Sequence, residues 1–142
     1  MIGAIIIKKK VRSAFNYLNK RNIPAFLAHW AEDATFIYPS DVSVGGKIEG
    51  KKAIEKWFQK FLEYFPELNL TPKNVCVQNI FSLSGTNIIA VELDVTGKNK
   101  EGFVFQNRGV TMINTKKGRA VLVRDYIFDI EMLKKSWGEE KG

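Results

Sequence analysis

Acidic residues occupy unexpected positions within two apolar segments of the second half of the sequence. Asp125 lies in the segment 120–128, which is rich in β-branched and aromatic residues and follows a Lys-Lys-Gly turn, so a strand is predicted there. Because strand side chains alternate between faces, Asp125 should share a face with Val121, Val123 and Ile127. A carboxylate among apolar side chains must be paired, protonated or in contact with a wet cavity. The segment is therefore a candidate for acid/base chemistry.

A second apolar segment, 88–95, repeats this arrangement. If it forms a strand, Glu92 and Asp94 share a face with Ile88. The two strands together would direct three carboxylates, including Asp125, into one acidic pocket. Since like charges so close cannot all ionise, the pKa of at least one of them should rise. The alternative is that both faces are solvated and that their apolar residues belong to the surface.

Composition favours one domain spanning 1–142. The chain has 142 residues, 45% of them hydrophobic, and a net charge of 22 − 15 = +7. The dense basic runs, 8–10 and 116–119, fall on a predicted helix start and a predicted turn, where lysines are usually solvated. We therefore expect neither a nucleic-acid partner nor a membrane partner, although a basic surface would attract anionic ligands.

Cysteine and histidine are too scarce for a disulfide or a Cys/His metal site. Cys76 and His29 are the sole representatives of their types. Cys76, between two valines, is predicted to be a buried thiol, and His29 to lie on a solvated helix face. No metal and no cofactor are expected, although a carboxylate cluster could hold a cation. The apolar segment 1–7 is too short to span a bilayer, and a cytoplasmic location is expected.

Hydrophobic periodicity places helices mainly in the first half of the chain and strands in the second. The predicted helices are 11–18, 24–31, 51–65 and 130–137. The predicted strands are 34–38, 74–83, 87–96, 103–114 and 120–128, with a polar loop at 40–50. This order predicts an α+β domain, a cone-shaped roll whose N-terminal helices pack on a strongly curved, mainly antiparallel sheet.

The cone would enclose a cavity whose base is supplied with aromatic side chains. Trp57 and Phe61 belong to the apolar face of the 51–65 helix and are predicted to be core residues that also line the ligand end of the cavity. The alternative is that the aromatic residues fill the cone completely and leave no pocket.

Five segments in order resemble the SnoaL-like branch of the nuclear transport factor 2-like superfamily. They are 15–19, 30–36, 48–54, 107–111 and 118–126, and the resemblance extends over about residues 8–135. Members are cone-shaped α+β domains, often dimers, so a homodimer is implied. They include ketosteroid isomerases, polyketide cyclases, limonene-epoxide hydrolases and non-catalytic binders, so the fold does not name the function.

A residue-by-residue comparison with these relatives narrows the range of reactions that we expect this chain to catalyse. Ketosteroid isomerases have their base where this chain has Tyr38, their oxyanion tyrosine near Ala14 and their protonated aspartate near Gly109, so steroid isomerisation of that type is not expected.

Asp94 and Asp125 match the two aspartates of limonene-epoxide hydrolases. The arginine between them falls at Glu92, however, which argues against epoxide hydrolysis. An acidic residue of the late strands serves polyketide cyclases as general acid/base, and Asp125 is the candidate here.

Other polar residues complete the candidate site. Asn107 and Thr111 should face the cavity if Gly109 does, and there they would bind a ligand or a carboxylate. Tyr38 would donate to a ligand oxygen, or else be a core tyrosine with its hydroxyl at the surface. Arg108 falls on the opposite face, as an anion anchor, a surface residue or a dimer contact.

Two functions remain open. The first is an acid/base enzyme of isomerase, cyclase or lyase type that acts on a hydrophobic carbonyl or hydroxyl compound in a central cavity. Its catalytic residues would be Asp125, Asp94 and Tyr38, and its ligand-binding residues Glu92, Asn107, Thr111, Trp57 and Phe61. The alternative is a non-catalytic ligand-binding or dimerisation module of the same fold.

Overall fold

The computed structural model describes residues 2–139. Its helices are α1 (Ile2–Asn19), α2 (Ile23–Phe26), α3 (Lys51–Tyr64) and α4 (Ile130–Ser136). Its strands are β1 (Trp30–Tyr38), β2 (Gly46–Glu49), β3 (Glu67–Val77), β4 (Asn87–Lys98), β5 (Val104–Lys116) and β6 (Arg119–Ile127). The strands form one sheet in the order β2-β1-β6-β5-β4-β3, antiparallel except for the pair β1–β6. The predicted α+β fold with a mainly antiparallel sheet is confirmed.

Helix α1 covers the edge strand β3. Val11, Phe15 and Leu18 recur at helical spacing and are buried, so they give α1 its core-facing stripe. At the end of the helix, Asn19 donates to the carbonyl of Leu70 over 2.9 Å and accepts from its amide over 2.8 Å. These bonds satisfy backbone groups of an edge strand that would otherwise face water.

An arginine that follows α1 caps the C-terminus of α3. Arg21 lies between α1 and α2 and has a positive φ of 64°, the left-handed conformation in which many helices end. Its guanidinium donates to the carbonyl oxygens of Leu62 at 2.7 Å, Phe65 at 2.6 Å and Pro66 at 2.6 Å. Helix ends leave carbonyls without partners, and a planar guanidinium satisfies several at once.

The prediction of a second helix at 24–31 is wrong beyond the first helical turn. α2 ends at Phe26, and Trp30, predicted on its buried side, begins β1 instead, where it pairs with Ala120 of β6. His29 is exposed in the intervening turn rather than on a helix. The indole of Trp30 is buried either way, so its hydrophobicity did not distinguish helix from strand.

Two strands also differ from their predicted positions. β2 lies in the segment expected to be a loop, because its four residues pair with β1 but carry little apolar signal. β3 begins at Glu67, directly after the proline that follows α3, and ends at Val77, so the predicted strand at 74–83 was placed too late. Cys76 is exposed on this edge strand, and the prediction of a buried thiol is wrong.

Candidate functional site

Asp125 reaches the inner side of the sheet near the end of β6. Its neighbour in register is Thr111 of β5, whose hydroxyl donates to Oδ1 of Asp125 over 2.7 Å. Tyr38 ends β1, the strand parallel to β6. Asp125 and Tyr38 together line an internal cavity and an open groove at the surface. The end of the β1–β6 pair therefore brings a carboxyl group and a phenol to one place.

The carboxyl group of Asp125 is poised to titrate near neutral pH. Burial raises its pKa from 3.8 to about 6, and the hydrogen bond from Thr111 opposes this rise by favouring the charged form. A group with such a pKa has both protonation states accessible under physiological conditions. It can therefore accept a proton as a base and return it as an acid.

The hydroxyl of Tyr38 is held as a neutral donor. Its oxygen accepts a hydrogen bond of 3.0 Å from Nε1 of Trp137, which leaves its own proton free to donate. Burial raises the pKa of Tyr38 well above its ordinary value; the bond from Trp137 lowers it, and the charge of Asp125 raises it further. The phenol stays protonated wherever Asp125 titrates.

The internal cavity is small. It has a volume of about 50 Å³ and lies beneath Asp125, between apolar side chains that include Phe61, Leu93 and Phe105. A dry apolar cavity that holds benzene measures about 150 Å³, so this one has room for a few waters and not for a ring. The cavity beneath Asp125 is therefore smaller than the ligand-sized central cavity that was expected.

The groove is large enough for a ligand. It has a volume of about 430 Å³ and runs between the end of β1, the following loop, the end of β6 and the start of α4. Apolar residues Pro39 and Ile130 form part of its wall, and Ser40, Asp41 and Lys47 bring polar groups to it. A compound entering the groove would meet Asp125 and Tyr38 at its inner end.

Aromatic rings fill the base of the cone. Tyr38, Trp57, Phe61 and Trp137 are in mutual ring contact, with centroids 4.7–6.5 Å apart. Phe61 lines the cavity, as predicted for its helix face. Trp57 lines neither the cavity nor the groove, and its indole N–H donates to the carbonyl of Val44 over 2.8 Å. Its place is structural, in contrast to the ligand contact expected of it.

Asp94 and Glu92 lie on the outer face of the sheet, and the prediction that they share a pocket with Asp125 is wrong. Asp94 forms ion pairs with Nζ of Lys73 at 3.7 Å and Nε of Arg108 at 3.6 Å. Glu92 is exposed and accepts from the side-chain amide of Asn74 at 2.7 Å. The alternate residues of β4, such as Leu93, line the cavity instead. Asp125 is thus the acidic residue of the cavity among residues 2–139.

Asn107 and Thr111 face the interior with Gly109, yet their polar groups are already engaged. The amide of Asn107 donates to the carbonyl of Asp129 over 2.9 Å and accepts from the amide of Asp129 over 3.2 Å, which ties β5 to the start of α4. Thr111 is committed to Asp125. Asn107 and Thr111 therefore hold other protein groups of the site in place, in contrast to the ligand binding predicted for them.

Trp137 is the site residue that sequence reasoning missed. It follows α4, is buried, and supplies the hydrogen bond that orients Tyr38. The sequence offered one chemical signal for Trp137. A buried indole N–H needs a hydrogen-bond acceptor, and a tyrosine hydroxyl is a suitable one.

Clusters of metal ligands and membrane-spanning helices are both lacking among the described residues. Within residues 2–139 no three His, Cys, Asp or Glu side chains come together as metal ligands would. None of the helices in that part of the chain is both long and apolar enough to cross a membrane.

Comparison with known proteins agrees with the fold. The profile of the SnoaL-like domain family matches residues 11–123, a segment that ends just before Asp125. No curated protein matches this chain significantly. The resemblance noted in the sequence is confirmed.

Solved structures give the same result. An NTF2-like protein of unknown function from Burkholderia pseudomallei is 22% identical, with a TM-score of 0.77 over 91% of this chain and 95% of that one. Bal32a, from a soil-derived mobile gene cassette, is 17% identical, with a TM-score of 0.81 over 95% and 98%. TerC, co-crystallised with polyporic acid, is 16% identical, with a TM-score of 0.74 over 92% and 96%. At these identities the likeness shows the fold alone.

Proposed function

Since the chain belongs to the SnoaL-like domain family, we propose that it is an acid/base enzyme of isomerase, cyclase or lyase type acting on a hydrophobic carbonyl or hydroxyl compound. Asp125 would move the proton, and Tyr38 would donate a hydrogen bond to the substrate oxygen. The observation that carries the proposal is the position of Asp125 at the inner end of a ligand-sized groove, with a pKa raised to about 6.

The proposed reaction begins with the ionised form of Asp125. Its carboxylate takes a proton from the carbon next to the substrate carbonyl, and the electron pair of that C–H bond moves toward the carbonyl oxygen. The phenol of Tyr38 stabilises the oxyanion that forms, because its proton is free and its own ionisation is suppressed. The protonated Asp125 then returns its proton to a different atom of the substrate or to the leaving group.

The groove supports an oxygenated, largely apolar substrate. Its inner wall is apolar around Ile127 and Ile130, while Lys47 and Ser40 provide polar contacts. The Nζ of Lys47 is paired with Glu49 over 3.3 Å, and an acidic hydroxyl or carboxyl group of a ligand would share that ammonium while its rings lie against the isoleucines. TerC, a fold relative, was crystallised with polyporic acid, which makes that compound a reasonable first ligand to test.

Proton abstraction can be tested without knowledge of the natural substrate. A panel of aryl ketones such as 2-tetralone is incubated with the protein in D₂O, and loss of the proton next to the carbonyl is followed by NMR. We expect catalysed exchange that Asp125→Asn abolishes and that Asp94→Asn, a matched carboxylate on the outer face, leaves unchanged. No exchange above the buffer rate for the whole panel, or equal loss in both variants, would contradict the proposal.

The second candidate is a non-catalytic ligand-binding or dimerisation module. Two observations favour it: the internal cavity is small, and the amide of Asn107 and the indole of Trp57 are engaged by the protein itself. In that case polyporic acid or another aromatic acid would bind in the groove without turnover. Calorimetric binding that persists in Asp125→Asn, with no exchange in the wild type, would support this alternative.

The outer face of the sheet is the surface on which we propose that a homodimer forms. Val110, Met112 and Leu122 are half-buried there, beside Tyr126, which is exposed. A second copy packed on this face would cover these apolar side chains.

A further inference from the structure

Large apolar side chains are exposed together at one end of the molecule. In the first two turns of α1, Ile2 is 74% and Ile5 is 62% exposed. In the loop between β3 and β4, Phe81 is 74% and Leu83 is 86% exposed. Exposed aliphatic and aromatic groups at such levels cost free energy in water, and clustered groups of this kind mark interaction surfaces.

Close contacts join these segments and a third one into a single surface. A Cβ on Gly3 of α1 would lie 2.9 Å from the carbonyl oxygen of Ser82 and 3.4 Å from Cδ2 of Leu83, so the helix lies directly against the loop. The carbonyl of Gly85 accepts from the amide of Gly118 at 3.0 Å and from the hydroxyl of Thr115 at 2.9 Å. The loop is thereby attached to the β5–β6 hairpin. We refer to 2–10, 79–86 and 115–119 together as the apolar tip.

Basic side chains lie in two of the three segments of the apolar tip. Lys8, Lys9 and Lys10 follow the exposed isoleucines on α1 and are exposed themselves. Exposed Lys116, Lys117 and Arg119 lie on the hairpin that contacts the loop. The segments 2–31, 74–91 and 109–124 contain no acidic residue at all. The segments 2–10, 79–86 and 115–119 hold six Lys and Arg residues and no carboxylate, so they account for 6 of the 7 net positive charges of the chain.

We propose that the apolar tip docks on the surface of an anionic lipid bilayer, with Ile2, Ile5, Phe81 and Leu83 entering the headgroup region. The lysines and the arginine of the tip would then contact the acidic headgroups. A bilayer satisfies both parts of the surface, since it accepts apolar side chains and attracts cations. A nucleic acid would neutralise the lysines but would leave the aliphatic side chains in water. The sequence argued against a membrane partner because the two basic runs fall on a predicted helix start and a predicted turn, where lysines are usually solvated; folding brings the two runs to one surface that also exposes apolar side chains.

The test is co-sedimentation of the full chain with vesicles of phosphatidylcholine alone and of phosphatidylcholine mixed with phosphatidylglycerol. We expect sedimentation with the mixed vesicles only, weakened by salt. Phe81→Ser/Leu83→Ser should reduce it, and these side chains are exposed, so the fold should be retained. Lys116→Glu/Lys117→Glu should reduce the partition constant by at least about fivefold for each lysine, as expected for a cation near an acidic membrane.

Matched variants and competing partners make the result decisive. Lys56→Glu/Lys60→Glu changes the net charge equally on the exposed side of α3, outside the apolar tip, and should sediment like the wild type. Asp125→Asn should do the same, since docking is separate from the proposed chemistry. The proposal is overturned if mixed vesicles do not sediment the protein, or if both charge variants lose binding equally. It is also overturned if a duplex DNA or RNA probe binds while vesicles do not, or if the tip variants only convert a dimer to monomer.

Discussion

The hydroxyl of Thr111 donates a 2.7 Å hydrogen bond to Oδ1 of Asp125, across the β5–β6 pair. The bond favours the ionised carboxylate, yet burial outweighs it and the pKa of Asp125 rises to about 6. The threonine thus moderates the pKa of the one acidic residue that lines the cavity within residues 2–139.

Thr111→Val should raise the pKa of Asp125 above about 6, because the substitution removes the donor and keeps the burial. The carboxyl ¹³C shift of Asp125, followed by NMR over a pH titration, measures this directly. Thr96→Val, an exposed threonine of β4, is the matched control and should leave the titration unchanged. An unaltered Asp125 titration in Thr111→Val would show that the hydroxyl does not influence the carboxylate.

Asp125→Asn should raise the free energy of unfolding relative to wild type, and this gain should grow as the pH rises. The folded-state pKa, about 6, exceeds the ordinary value of 3.8, so between them the folded state binds more protons than the unfolded state and stability falls with pH. The uncharged variant avoids this loss, and its free energy of unfolding relative to wild type should increase by about 2 kcal/mol between about pH 4 and pH 7. Urea unfolding at both pH values measures the difference. A constant difference across this window, or the same window in Asp94→Asn, would refute the assignment.

Tyr38→Phe should remove the proposed oxyanion donor and keep the ring packing. We expect ketone exchange to slow by about 100-fold or more with little change in ligand affinity, as for other single donors of this type. NMR exchange rates and calorimetric binding separate the two effects. Tyr64→Phe is the matched control, since Tyr64 also contacts Trp137 but lies outside the groove and cavity. Equal rates in wild type and Tyr38→Phe would exclude the phenol from the reaction.

Arg21→Ala should destabilise the fold by about 2 kcal/mol, because carbonyls of Leu62, Phe65 and Pro66 lose a charged donor. Arg21→Gly should cost about 1 kcal/mol less than the alanine variant, since glycine adopts the positive φ at this position without strain. Chemical denaturation provides the values. Lys20→Ala, the exposed neighbour, should change stability by less than about 0.5 kcal/mol. Similar losses for Arg21→Ala and Lys20→Ala would mean that the three bonds contribute little.

Met112→Lys should convert the proposed homodimer to a monomer, because it places a charge at the centre of the outer sheet face. Size-exclusion chromatography with light scattering reports the mass, and circular dichroism checks the fold. Tyr17→Lys, at an exposed aromatic residue on α1, is the control and should keep the dimer. A wild-type protein that is monomeric at all concentrations would rule out this use of the face.

The amino-acid sequence by itself determined most of the element order. The apolar face of α3, the proline that follows it and the glycine-bearing turns before β5 and β6 are local signals, and the bounds they predicted are close to those observed. The alternation around Asp125 was equally local, because three apolar neighbours at period two mark an inward face. The residue that carries the proposed chemistry could therefore be found without coordinates.

Only the tertiary structure decided which other groups join Asp125. Both faces of β4 carry apolar residues, so the direction of Asp94 depended on the register of β4 with β5, which places Asp94 opposite Arg108 on the outer face. Tyr38 and Trp137 are 99 residues apart, and their hydrogen bond exists because the chain after β6 returns over the end of β1. Periodicity reports the faces of one element, whereas partners across elements depend on sheet order and pairing register, which are set by the packing of the whole core.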